Sequence, residues 1–153
     1  MLTIAVALSL QASEDLGHLV RARLDLARPV ALAKLYSRAP IEDRGRERAV
    51  LDDVRRRAPG FGLDPDRAVR FFAAQIEASK AAQRAWQAQW AREGAPFDPR
   101  PNLARDVRPK LDRLTPKMLE ALRKGSAKDL ARKAPKEPWL RPAWATATAP
   151  LTR

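Results

Sequence analysis

Hydrophobic and polar positions follow a helical period in three long segments of the chain. In the first segment they predict a helix from Ser13 to about Arg38. The Ser13 hydroxyl can cap its first turn, and the two acids that follow suit the positive end of a helix dipole. Pro29 lies inside the segment and should bend the helix. The inward face of this helix is Leu16, Val20, Arg23, Ala27, Val30 and Lys34.

Two further helices are predicted from their start signals and periods. Asp43 can cap a helix that ends near Arg57, and Asp64 followed by Pro65 favours a third helix that ends near Gly94. The inward face of the second helix is Arg46, Glu47, Val50, Leu51 and Val54, and that of the third is Val69, Phe72, Ile76, Ser79, Gln83, Trp86 and Trp90.

The remaining third of the chain is richer in proline. We predict a short helix over about Leu103 to Leu114 and another that starts at Thr115-Pro116. From Lys133 onward, prolines and basic residues indicate an extended tail in which Trp139 and Trp144 dock on the other helices. The predicted organisation is therefore an N-terminal segment at 1–12, a helical domain at 13–132 and a basic, Pro-rich tail at 133–153.

Composition agrees with one all-α domain of about five to six helices. The chain has 153 residues, 45% of them hydrophobic, and only six glycines, so it can bury one modest core. It has no cysteine, which excludes disulfides and thiolate metal sites. The lone His18 cannot build a metal site, and we expect it to be a partly exposed helix residue.

The formal net charge of +12 raises the hypothesis of nucleic-acid binding. From residue 99 onward there are fourteen Lys and Arg but five acids, so most of the excess positive charge lies in the last third of the chain. Basic surfaces also aid solubility and attract small anions. We therefore expect no nucleic-acid partner.

Residues 1–12, MLTIAVALSLQA, form an apolar stretch too short to span a bilayer. The stretch looks like the hydrophobic part of a secretory signal that ends near Gln11-Ala12-Ser13, but it lacks a charged n-region. Two interpretations stay open, a signal remnant and an ordered N-terminal extension.

Polar side chains interrupt all three predicted inward faces. Arg23 and Lys34 are eleven residues apart, about three turns, so they share a face with Cα atoms about 16 Å apart in a straight helix. The second face carries Arg46 and Glu47, with Asp43 one turn earlier, and the third carries Ser79 and Gln83 at i and i+4. Because an unpaired buried ion is costly, these groups either hold an anionic ligand or form an internal ion-pair network. Such a network would pair Arg46 with Asp43 or Glu47, and Lys34 with Asp25 or Glu42.

Besides the helical pattern, the chain contains an ordered set of short motifs over about residues 14–125. The motifs are Arg23–Ala31, Lys34, Pro40–Asp43, Arg46-Glu47, Val50-Leu51, Phe71-Phe72, Gln75-Ile76, Ala78-Ser79, Gln83 and Arg108–Leu114. In their order and spacing the chain resembles the helical chorismate mutases, and especially their exported, gamma-type subclass. The resemblance implies a helical bundle of that type and the conversion of chorismate to prephenate, on the branch that leads to phenylalanine and tyrosine.

The resemblance also implies roles for eight residues. Lys34 and Gln83 would be the catalytic pair, donating hydrogen bonds to the ether oxygen on which negative charge grows. Arg23, Arg46 and Arg108 would hold the two carboxylates of the substrate, with a hydroxyl contact from Ser79. Asp43 and Glu47 would accept from the substrate hydroxyl and orient the arginines.

Further expectations come from the same subclass. The rearrangement needs no cofactor and no metal, and we expect a homodimer in which each chain builds a complete site. Some relatives have glutamate where this chain has Gln83, and some have a polar residue in place of Val50. The strongest rival is a non-catalytic helical bundle that binds an acidic ligand or partner.

Overall fold

A computed structural model of the chain describes residues 14–97, 99–125 and 127–152. Within these ranges there are α-helices and short helical turns but no strands, as predicted for the all-α class. Six α-helices have eight residues or more, and a seventh is a single turn. Their bounds are α1 Leu16–Asp25, α2 Ala27–Ser37, α3 Arg44–Arg57, α4 Pro65–Glu93, α5 Arg108–Lys124, α6 Leu130–Lys133 and α7 Arg141–Thr148.

The first predicted helix is divided in two at Leu26. Pro29 has no N–H to offer the carbonyl of Asp25, so the regular bonding stops before the proline. The N–H of Leu26 donates instead to the carbonyl of Arg23 at 3.2 Å, and that of Val30 donates to Leu26 at 3.2 Å as the helix resumes. The predicted bend is thus a break between α1 and α2.

The start of α1 is capped by Asp15, whose Oδ1 accepts from the N–H of Gly17 at 2.9 Å. Ser13, which we predicted as the cap, lies outside the described residues, and so does the segment 1–12. His18 follows in the first turn of α1, and its side chain is 71% exposed, as expected.

The second and third predicted helices are confirmed as α3 and α4. Asp43 caps α3 by accepting from the N–H of Arg46 at 3.0 Å, and Asp64 caps α4 by accepting from Arg67 at 2.8 Å. The 29 residues of α4 span about 43 Å. This central helix packs against α1, α2, α3 and α7, and it supplies Phe71 and Phe72 to the main core.

The region after residue 102 differs from the prediction of two helices that meet at Thr115. A π-helical turn, Leu103–Val107, leads directly into α5, which continues through Pro116 to Lys124. The Thr115 hydroxyl donates to the carbonyl of Leu111 at 3.2 Å within this helix. The next two turns of α5 are buried through the side chains of Met118, Leu119 and Leu122. Their packing offsets the loss of the backbone hydrogen bond that Pro116 cannot donate.

The prediction of an extended tail is also wrong. Short helical turns at Pro138–Leu140 and Ala149–Leu151 flank α7, and each of these segments has a proline in its first turn, where the missing N–H costs nothing. Trp144 is 7% exposed in the main core, and Trp139 meets Trp86 edge to face at 6.0 Å between ring centroids. The predicted docking of both tryptophans is therefore confirmed. Among the described helices, none is both long and apolar enough to cross a lipid bilayer.

Candidate active site

One cavity lies between α1, α2, α3, α4 and the start of α5. It has a volume of about 130 Å³, and since one water takes roughly 10–15 Å³ of such space, it can hold a small organic molecule. All eight residues predicted from the sequence line this cavity: Arg23, Lys34, Asp43, Arg46, Glu47, Ser79, Gln83 and Arg108. The structure thus brings together side chains that are up to 85 positions apart in the chain.

Arg23 and Lys34 reach the cavity from either side of the break at Leu26. The Arg23 guanidinium donates from Nη1 to the carbonyl of Gln75 at 3.1 Å, which ties α1 to α4. Burial lowers the pKa of Arg23 to about 10, so the guanidinium is still charged at neutral pH. Its remaining N–H groups can face an anion in the cavity.

Lys34 is only 9% exposed. Its Nζ donates to the carbonyl of Ile41 at 2.5 Å, in the connection that leads to α3. Burial lowers the pKa of Lys34 below its ordinary value, and the cations Lys80 and Arg108 lower it further. The carboxylates Asp43 and Glu47 act in the opposite direction and favour the charged form.

The first turn of α3 supplies three charged groups. The Oε1 of Glu47 accepts from the N–H of Asp43 at 3.3 Å, so the two acids are fixed at the start of the helix. The Nη2 of Arg46 lies 3.3 Å from Oδ1 of Asp112, an exposed residue of α5. The proposed network of Arg46 with Asp43 or Glu47 is therefore not the arrangement found in the described residues.

Ser79 and Gln83 lie one turn apart on α4. The Nε2 of Gln83 donates to the Ser79 hydroxyl at 3.1 Å. The Oε1 of Gln83 is buried and, within the described part of the chain, has no hydrogen-bond partner. A buried polar atom without a partner is costly, so a ligand that satisfies this amide would bind favourably.

Arg108 is the first residue of α5 and lies exposed at the rim of the cavity. The π-helical turn Leu103–Val107 precedes it, with Asn102 accepting from the N–H of Arg105 at 2.9 Å. Because this turn fixes where α5 begins, it also sets where the Arg108 side chain starts. The apolar walls of the cavity include Val30, Ile41, Val50, Ile76, Leu103, Val107 and Leu111.

Lys80 and Asp112 also line the cavity, although the sequence did not single them out. The Nζ of Lys80 lies 2.8 Å from Glu77, 3.3 Å from Glu47 and 3.5 Å from Glu42. Glu77 precedes Lys80 by one helical turn, which was the signal that could have indicated a charged pair on this face.

The lining of the cavity carries excess positive charge. Five cations, Arg23, Lys34, Arg46, Lys80 and Arg108, face three carboxylates, Asp43, Glu47 and Asp112, which gives a net charge of +2. A small molecule with two carboxylates would neutralise that charge.

Comparisons with known proteins match this geometry to one family. A family model described as chorismate mutase type II matches residues 12–84. The chain is 31% identical over 120 residues to the secreted chorismate mutase of Yersinia pestis, a match that covers 78% of this chain and 63% of that protein. It is 33% identical over 113 residues to the secreted chorismate mutase of Mycobacterium tuberculosis, covering 72% of this chain and 57% of the relative. The chain thus spans less than two thirds of either curated relative.

The similarity extends to a solved structure along almost its whole length. The crystal structure of a chorismate mutase from Burkholderia thailandensis superposes with a TM-score of 0.81 and is 39% identical in sequence. The superposition covers 89% of this chain and 96% of the Burkholderia chain. Identity at this level over nearly a whole solved relative shows that the chain belongs to the helical, type II chorismate mutases.

Proposed function

We propose that this chain converts chorismate to prephenate by an intramolecular Claisen rearrangement, in which a C–O bond breaks as a C–C bond forms. The observation that carries the proposal is that one cavity, with a net charge of +2 in its lining, is lined by all eight matched residues. The substrate is a dicarboxylate, so its charge complements that of the lining.

Three arginines bind the two carboxylates in this proposal. Arg23, Arg46 and Arg108 line the cavity from α1, α3 and the start of α5. A guanidinium fork pairs with a carboxylate in a bidentate manner, which fixes the substrate in the compact conformer that the reaction needs. Ser79 adds a hydroxyl contact. The ion pair of Arg46 with exposed Asp112 opens when the substrate carboxylate takes its place.

Lys34 and Gln83 stabilise the negative charge that grows on the breaking ether oxygen. The Lys34 ammonium uses one of its three N–H groups on Ile41, which leaves two for the substrate. The amide of Gln83 can turn over without a change of shape. Ser79 then donates to Oε1, and Nε2 takes the buried position that has no partner among the described residues. From there it donates to the ether oxygen.

Asp43 and Glu47 accept from the substrate hydroxyl. Both carboxylates are fixed at the start of α3, so the hydroxyl meets a preorganised acceptor. Ionised carboxylates accept and cannot donate, so they distinguish a hydroxyl from a third carboxylate at this position.

The proposal is tested by incubating the purified protein with chorismate and following the loss of its diene absorbance. We expect turnover by the parent chain and a loss of about 100-fold or more in kcat for Lys34→Ala. Lys124→Ala, an exposed lysine at the end of α5, removes the same charge and should leave turnover unchanged.

The same experiment separates the two rival functions. If chorismate persists and Lys34→Ala behaves like the parent, the enzyme proposal is lost in favour of a non-catalytic bundle. Salt-sensitive binding to DNA without turnover would support a nucleic-acid binder instead.

We also propose that the protein is exported to the periplasm or secreted. Two of the relatives are named secreted chorismate mutases, and the apolar segment 1–12 supports the same location. Fractionation of cells that express the chain, followed by N-terminal sequencing, tests the proposal. Recovery of the uncleaved chain in the cytoplasm alone would contradict it.

The oligomer that we propose is a homodimer in which each chain holds a complete site. Support for the complete site comes from the eight residues predicted for it, which all line one cavity within the same chain. Sedimentation should give a dimer at micromolar concentration, while kcat/KM stays constant on dilution through the dissociation range. A loss of activity on dilution would mean that the partner supplies a needed group.

A further inference from the structure

Lys80 is a buried lysine of the cavity for which the sequence predicted no role. Its side chain is 8% exposed and follows Ser79 directly on α4. Burying an ammonium costs free energy unless carboxylates surround it. Three do so here: Glu42 in the connection before α3, Glu47 on α3 and Glu77 on α4.

These three carboxylates surround the Lys80 ammonium, and two of them, Glu42 and Glu47, accept hydrogen bonds from it. Its Nζ lies 2.8 Å from Glu77, 3.3 Å from Glu47 and 3.5 Å from Glu42. A lysine has three N–H donors, and with three carboxylates this close its charge is compensated within the chain and not by a substrate. Apart from the electrostatic effect of its charge on Lys34, an effect of Lys80 on the reaction therefore passes through one of these acids.

Glu47 is the acid that depends most on Lys80. Its side chain is 24% exposed, against 48% for Glu42 and 60% for Glu77, so water can solvate the other two more readily. The two oxygens of Glu47 have separate partners. Oε2 faces Lys80, and Oε1 accepts from the N–H of Asp43. Together the two contacts fix the plane of the carboxylate.

We infer that Lys80 is a positioning residue that holds Glu47 against α4, in the orientation from which it accepts the substrate hydroxyl. The inference rests on the proposed function and adds a residue to its machinery. Glu47 also acts electrostatically on Lys34. Without Lys80, Glu47 turns toward the Lys34 ammonium and competes with the ether oxygen for its N–H groups.

The first test replaces the ammonium with an apolar group of similar length. In Lys80→Met we expect kcat/KM to fall about 10- to 100-fold, mostly in kcat, because a misplaced group at the reacting centre costs this much. Lys80→Arg keeps the charge and should recover activity to within about threefold. The matched control is Lys124→Met, which removes an exposed lysine paired with Glu120 and should leave kcat/KM unchanged.

A double-mutant cycle then asks whether Lys80 acts through Glu47. In a Glu47→Gln background, Lys80→Met should cost less than about threefold, because the group that Lys80 positions is already impaired. Losses that simply multiply would show an independent role and overturn the inference. Full activity of the single variant would overturn it as well. Circular dichroism checks the fold, and Lys80→Gln replaces Lys80→Met in the cycle if that variant does not fold.

A measurement without turnover separates this inference from the proposed function. The carboxylates of Glu77 and Glu47 raise the pKa of Lys80, so an NMR titration of the lysine ammonium should give a lower pKa in Glu47→Gln than in the parent. If the parent chain leaves chorismate intact, the proposed function fails while this titration still tests the contact. An unchanged pKa in Glu47→Gln would overturn the inference.

Discussion

In the proposed mechanism Gln83 is a neutral donor, at a position where the resemblance to the family implies a glutamate in some relatives. A glutamate must be protonated before it can donate, whereas an amide donates at any ordinary pH. The parent should therefore have a kcat that Gln83 keeps nearly constant between about pH 5 and pH 8, because its amide has no proton to lose over this range.

Gln83→Glu should make catalysis depend on acid. We expect the variant to retain turnover at about pH 5 and to lose about 100-fold or more in kcat by about pH 8, where the new carboxylate repels the growing charge. Initial rates of chorismate loss at the two pH values measure the ratio. Ala88→Glu adds the same charge at an exposed site of α4 and serves as the control. Equal activity of Gln83→Glu at both values contradicts the role of Gln83.

Lys34 sets the alkaline limit of activity in our second prediction. Burial lowers its pKa. The charged groups around it are Asp43, which caps α3, Glu47 in α3, Lys80 in α4 and Arg108 in α5. Only the protonated ammonium donates, so kcat/KM should fall as pH rises through a value below the usual 10.5.

Lys34→Arg checks that assignment. A guanidinium stays charged to higher pH than an ammonium, so any activity of the variant should persist to higher pH than that of the parent. Rates of chorismate loss across the alkaline range give both midpoints. The same midpoint in parent and variant would assign the alkaline limb to a group other than Lys34.

At the scale of single residues, the sequence predicted those that interrupt an apolar face. The helical period places three polar residues where an apolar side chain is expected, namely Arg23, Lys34 and Gln83. Lys80 does not stand out, since a lysine one turn from Ile76 looks like the boundary of the face. Its partners Glu42 and Glu47 lie 38 and 33 residues away, and local spacing carries no information on such contacts.

At the scale of helices and turns, proline has three different effects in this chain. The hydrogen bonding of α1 stops at Asp25, before Pro29. Pro116 instead lies inside α5 and is followed by buried residues. The prolines after residue 137 begin helical turns instead of preventing them. Helix starts could be predicted from local capping, but these outcomes depend on tertiary packing.

The third prediction concerns the docking of α7 on α4. Gln75 of α4 donates from Nε2 to the carbonyl of Ala147 at 2.8 Å, and Trp144 is buried beside it in the core. Trp144→Ala should lower the free energy of unfolding by about 3–5 kcal/mol. Arg141→Ala, an exposed residue of the same helix, should change it by less than about 0.5 kcal/mol. Urea denaturation measures both, and equal stability of the two variants would contradict the docking.

At the scale of the whole molecule, a net charge of +12 attracts the dianionic substrate of the proposed reaction before contact. We expect kcat/KM to fall about tenfold between about 20 mM and 500 mM NaCl, with little change in kcat, because salt screens long-range approach more than contacts with the buried Lys34. Lys110→Gln/Arg113→Gln removes two exposed cations of α5 and should make the salt dependence shallower. A salt response identical to that of the parent would show that these cations take no part in the approach.

The break at Leu26 makes the number of residues between Arg23 and Lys34 a constraint of its own. Each residue of a helix turns the next side chain by about 100°. One residue inserted or deleted there would rotate Lys34 out of phase with Arg23, although both cations remained in the sequence. Substitutions between them, including one at Val30 in the cavity wall, leave that phase unchanged. We therefore expect functional relatives to differ in the residues of this segment but to keep its length.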